Sequence, residues 1–147
     1  MALMNIFDIA GSGMSAQSVR LNTTASNIAN AESVATNSED TYRARQPVFE
    51  AQMRSALRDS PFDFNSQAMN AGQGVRVMGV VESDAPYQMR YEPGHPFADD
   101  NGYVKYPNVN VVEEMTNMIS ASRSFQTNAD VMSAAKKMME QALALGK

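Results

Sequence analysis

The stretch VVEEMTNMISASRSFQTNADVMSAAKKMME, residues 111–140, carries an apolar side chain at every seventh position: Val111, Met118, Phe125, Met132 and Met139. A strict spacing of seven stays on one side of a helix only if that helix supercoils to the left around a helical partner. The pattern predicts a helix over residues 110–145, about 50 Å long at 1.5 Å per residue and longer than most globular helices. Glu113 and Glu114 fall in its first turn and Lys136 and Lys137 in its later half, which suits the helix dipole. Gly146 is placed to end it.

The start of the chain repeats the same period. Phe7, Met14, Leu21 and Ile28 form one stripe, and Leu3, Ala10, Gln17, Thr24 and Ala31 fill a second position of the same register. A helix over residues 5–31 is predicted, with Asp8 and Arg20 as its only charges before Ala31. A helix facing bulk water normally carries many charged side chains, so this one is expected to have neighbours on several sides. Its Ser, Thr and Asn residues each cost up to about 0.7 kcal/mol relative to Ala in a helix, so it should order mainly on packing.

Between the two ends the period changes from seven to two. Tyr42, Ala44 and Val48, then Val75, Val77 and Val81, then Tyr87, Met89 and Tyr91 alternate with polar residues, and Gly102 to Tyr106 forms a fourth run stopped by Pro107. These read as short strands. Residues 54–74, rich in Ser, Asn, Gln, Gly and Ala, read as a mobile loop. The fold class expected is mainly α with a small β module: the terminal helices paired as a coiled coil, with short antiparallel strands and hairpins between them. Residues 1–35 and 108–147 would form a discontinuous helical core, and residues 36–107 an outer β-rich segment.

Composition narrows the function. A chain of 147 residues is one domain by the usual prior. A net charge of -4 and a pI near 4.9 argue against nucleic acid, which needs clustered Lys and Arg. The lack of Cys removes disulfides, thiolate catalysis and cysteine-held metals, whereas 12 Met residues suit an adaptable contact surface. The first residues lack a basic leader and do not read as a cleaved signal peptide, and no apolar run is long enough to embed in a membrane.

Chemistry is equally sparse. His95, the one histidine, lies between Pro93 and Pro96 in a turn, with no oriented nucleophile implied beside it. Asp99-Asp100-Asn101-Gly102 lacks the first and twelfth carboxylates of a calcium loop and reads as a hairpin turn. Glu113 and Glu114 point about 100° apart on a helix and cannot converge on one substrate. No enzyme activity, cofactor or metal is expected.

One resemblance is specific. Leu21-Asn22-Thr23-Thr24-Ala25-Ser26-Asn27-Ile28-Ala29-Asn30-Ala31 resembles the amino-terminal signature of the bacterial flagellar rod and hook proteins. Tyr91-Glu92-Pro93-Gly94-His95-Pro96, Ala98-Asp99 and Gly102-Tyr103-Val104-Lys105-Tyr106-Pro107-Asn108-Val109-Asn110 look like the proximal-rod branch of that family. The motif residues are Pro93, His95, Pro96, Asp99, Gly102, Tyr103, Pro107 and Asn108. Glu113-Glu114-Met115, Ala121-Ser122-Arg123-Ser124-Phe125-Gln126-Thr127-Asn128 and Ala135-Lys136 continue it, with Phe125 where the family usually has Tyr.

The resemblance implies a structural subunit of the rod that crosses the periplasm, exported through the flagellar type III apparatus without a cleaved signal peptide. Implied partners are further copies of itself, proximal rod proteins B and F, distal rod protein G, and adaptor protein E at the inner-membrane ring. In that setting Phe7, Met14, Leu21, Ile28, Val111, Met118, Phe125, Met132 and Met139 would join the two ends, and Asn22, Asn27 and Asn30 would hydrogen-bond across subunit contacts. Capping of the first helix is an equal reading for Asn30. The alternatives are another axial rod or hook subunit, or a self-contained helical binding module.

Overall fold

Asn110 opens the long helix. Its side-chain Oδ1 accepts the Val112 amide at 3.2 Å, which satisfies one otherwise orphaned donor of the first turn, and its carbonyl accepts the Glu114 amide at 2.9 Å as the first bond of the helix ladder. Helix α2 follows over Val111–Leu145, and helix α1 covers Ala2–Ala29. The computed structural model describes residues 2–34, 41–52 and 74–145. Gly146 therefore lies outside the described residues, as does the predicted loop apart from Gly74.

The two helices lie side by side and antiparallel. Arg20 of α1 donates to Asn117 of α2 at 3.0 Å, while Gly11, nine residues earlier, faces Met132. The coiled-coil pairing expected from the heptads is thus made within one chain.

Small residues fill the middle of the seam. Ala10 and Thr24 on α1, and Ala121 and Ala135 on α2, are buried, each set stepping by multiples of seven, and the longer Glu114 continues the second set. A Cβ built on Gly13 would stand 2.8 Å from Asn128 Nδ2, so the backbones approach closely there. The larger stripe residues Phe7, Met14, Leu21 and Ile28, and Met118, Met132 and Met139 across from them, are half-buried.

Two hairpin-like sheets complete the chain. Strands β1 (Arg45–Gln52) and β2 (Gly74–Glu82) pair antiparallel with an irregularity between Val48 and Phe49. Strands β3 (Gln88–Tyr91) and β4 (Tyr103–Tyr106) pair from Gln88 opposite Tyr106 to Tyr91 opposite Tyr103. Pro47 is tolerated inside β1 because that strand has one neighbour and a free edge.

The first strand begins at Arg45, three residues later than the alternation predicts, because the residues before it enter a core. Ala31, Ala44 and Val109 are buried together, with Tyr42 and Val111 packed against them. This cluster sits where α1 ends, β1 begins and α2 starts, so it fixes one end of the helix pair.

Candidate assembly surface

Asn27 is completely buried in the last turns of α1. Its Nδ2 donates to the Arg45 carbonyl at 2.8 Å, and its Oδ1 accepts the Arg45 amide at 2.9 Å and the Tyr42 hydroxyl at 2.8 Å. The carboxamide thus grips the backbone of β1 as a neighbouring strand would. Its hydrogen bonds are made inside the chain, which corrects the expectation that Asn27 reaches across a subunit contact.

A second latch holds the other end of the hairpin. Ser12 Oγ donates to the Ile9 carbonyl at 2.8 Å and accepts the Val75 amide at 3.1 Å. Gly74, the residue before, has φ of +125°, and a Cβ there would collide with the Ser12 hydroxyl. Only glycine lets the strand come this close to the helix. Ser12 and Asn27 are fifteen residues apart, about 22 Å along a helix, so the β1–β2 sheet is held along α1 at two points.

Asn108 is a third anchor. Its Oδ1 accepts the Ala44 amide at 2.7 Å, and its Nδ2 donates to the carbonyls of Ser83 at 3.1 Å and Ala85 at 2.9 Å. Pro107 beside it is fully buried. Asn30 Nδ2 donates back to the Ser26 carbonyl at 2.8 Å, which also accepts the Asn30 amide at 3.1 Å. Asn22 is exposed.

The remaining motif residues shape the β3–β4 loop. Gly102 has φ of +78° and donates its amide to the Asp99 carbonyl at 2.7 Å, closing a tight turn. Tyr103 and Tyr91 meet edge to face at 5.3 Å. His95 Nδ1 accepts the Phe97 amide at 3.2 Å; Pro93 and Pro96 are exposed on either side of it.

What the fold leaves uncovered is apolar and large. Phe125 is 39% exposed, and Val112, Met115 and Ile119 on the outer face of α2 are 73%, 51% and 57% exposed. On α1 the outward residues Ser15, Ser18, Asn22, Ala25 and Ala29 are uncharged. Burying such surfaces on association is favourable because apolar area leaves water without desolvating charge.

Sequence reasoning missed both latch targets, since a side chain's distant backbone partner has no local signal. It also missed the seven-residue series Glu114, Ala121, Asn128 and Ala135, although that series could have been found by extending the second register already seen in Ala10, Gln17 and Thr24.

Two terminal helices closed on a small-residue seam, with a β module latched alongside and bulky apolar residues left facing out, define a structural assembly subunit. Residues 7–34 match the family described as flagella basal body rod protein, and residues 100–145 match the C-terminal family of flagellar basal body rod FlgEFG proteins. The flagellar basal-body rod protein FlgC of Salmonella typhimurium is 51% identical over 146 residues, covering 99% of each chain. That of Yersinia enterocolitica is 46% identical over 149 residues, again covering 99% of each. That of Borreliella burgdorferi is 36% identical over 149 residues, covering 99% of this chain and 98% of its own. The chain belongs to the FlgC family of flagellar basal-body rod proteins.

Proposed function

We propose that the chain polymerises into the proximal rod, the periplasm-crossing shaft that carries motor torque outward and encloses the export channel. The observation that supports this reading most is the division of the helix pair into a closed seam and an open face. A shaft under torque needs each subunit to hold several neighbours, so that no single interface shears. The half-buried stripe residues and the uncharged face of α1 provide contact area in several directions.

In this reading residues 1–35 and 108–147 line the tube and residues 36–107 lie outside. Neighbours are further copies, rod proteins B, F and G, and adaptor protein E, after export through the type III apparatus. The role is mechanical, with no catalytic step and no cofactor.

Phe125→Asp tests it. Because Phe125 is 39% exposed, the change should cost the free subunit about 1–3 kcal/mol for the ring area it still buries, while charge placed in a packed contact is strongly disfavoured. Export should continue, the variant should be lost from isolated basal bodies, and swimming should stop. Normal basal bodies and normal swimming would refute the role given to this face.

A further inference from the structure

Asn101-Gly102 is the one Asn-Gly pair in the chain. In such a pair the glycine nitrogen reaches the asparagine carboxamide carbon with no Cβ in the way, which makes it the asparagine link most prone to losing ammonia. Asn101 stands exposed at the tip of the β3–β4 loop. Gly102 has no substitute there: its φ is +78°, and a Cβ would lie 2.9 Å from Cε2 of the Tyr91 ring and 3.2 Å from Cβ of Pro93. The turn therefore requires the very glycine that makes Asn101 labile.

The same turn withholds the nucleophile. The Gly102 N–H is donated to the Asp99 carbonyl at 2.7 Å, and the Gly102 carbonyl accepts the Glu92 amide at 2.9 Å. Asp99 donates its own amide to the Tyr103 carbonyl at 2.9 Å, so the loop is tied on both sides of the pair. Gly102 is thus fixed at its nitrogen and at its carbonyl, and the nitrogen is not free to add to the Asn101 carboxamide until these bonds open.

We propose that Asn101 is a site of spontaneous deamidation gated by this hairpin: the closed turn preserves the asparagine, and the open one lets Gly102 attack it. In the step, water or hydroxide takes the Gly102 amide proton, the nitrogen bonds to Asn101 Cγ, and the Cγ–Nδ2 bond breaks to release ammonia. Water then adds to a carbonyl of the resulting cyclic imide and reopens it as aspartate or isoaspartate. The sum consumes a water and releases an ammonia, with no oxidant or reductant. Either product sets a new carboxylate directly after those of Asp99 and Asp100, where like charges repel. Isoaspartate also lengthens the main chain by a carbon, which displaces the atoms that close the turn. Conversion of Asn101 therefore records the time a chain has spent with β3 and β4 apart, and it is not reversed when they pair again.

The test uses the purified full-length chain at mildly alkaline pH, in buffer and in concentrated guanidinium chloride. Trypsin cuts after Arg90 and Lys105, and the released peptide, residues 91–105, contains a single Asn and no Gln, so its change in mass from amide to acid reports Asn101 alone. Conversion should be at least about tenfold slower in buffer than in denaturant, because the reaction waits on local opening. Tyr91→Ala removes the ring packed over Gly102 and leaves Asn-Gly intact. It should raise the rate in buffer at least about threefold while the helical circular dichroism stays unchanged.

Equal rates in buffer and denaturant, or a slower rate in denaturant, would overturn the gate. Gly102→Ala in denaturant, where folding plays no part, checks the route, since its methyl group hinders the approach of the nitrogen. Conversion should then fall at least about tenfold, and an unchanged rate would show that the Gly102 nitrogen is not the attacking group.

Discussion

Asn27 shows how one side chain can join two kinds of secondary structure. It reads a strand's amide and carbonyl from within a helix, so its removal would leave both groups of Arg45 without this partner and leave the Tyr42 hydroxyl only Ser26 Oγ at 3.3 Å. Asn27→Ala should therefore lower stability by about 3 kcal/mol, as loss of several buried hydrogen bonds does, whereas Tyr42→Phe should cost only about 1 kcal/mol. Thermal unfolding of the two variants would order them, and equal midpoints would refute the latch. Asparagine at this place was legible as unusual on a charge-poor helix. Its target was not, because Arg45 is eighteen residues away along the chain.

At the scale of elements, the helix seam depends on size. Ala121 on α2 has no exposed surface. Ala121→Leu should force the helices apart and cost about 1–3 kcal/mol, although leucine is a good helix former. Circular dichroism during melting would register this as an earlier transition, and an unchanged or later one would show that the helices do not pack here. The β3–β4 pair makes a different prediction. Burial, followed by the hydrogen bond to Glu92 Oε2 at 3.2 Å, pushes the Tyr106 hydroxyl above its ordinary pKa of 10.0. A raised folded value means that the unfolded chain loses this proton first. The stabilisation is complete below the ordinary tyrosine range and declines as pH rises through the folded value. Alkaline denaturation should begin later in Tyr106→Phe, and no difference between the two chains would refute that link.

For the whole molecule, the position of the core matters most. Ala31, Ala44 and Val109 join at one end of the helix pair, whereas Met4, Leu143 and Leu145 at the other end are 66%, 69% and 89% exposed. Order in the free subunit should therefore be graded along its length. Amides near residues 24–31 and 109–118 should exchange with solvent at least tenfold more slowly than those near residues 4–10 and 138–145. Hydrogen exchange on dilute protein would check this, and uniform protection along both helices would contradict it. The gradient suits a subunit whose loose end gains its packing from neighbours.

The heptad period determined that both ends are helical and need a helical partner, since a stripe every seventh residue has one physical solution. The change to a period of two marked all four strands to within a few residues, and the family strings marked the motif loop. Tertiary structure decided which positions form the seam, because backbone approach is limited by the smallest side chains and not by the most apolar ones. It also decided where Ser12, Asn27 and Asn108 send their hydrogen bonds. Local pattern fixes which way a side chain faces, but only the folded chain brings distant backbone groups within bonding distance.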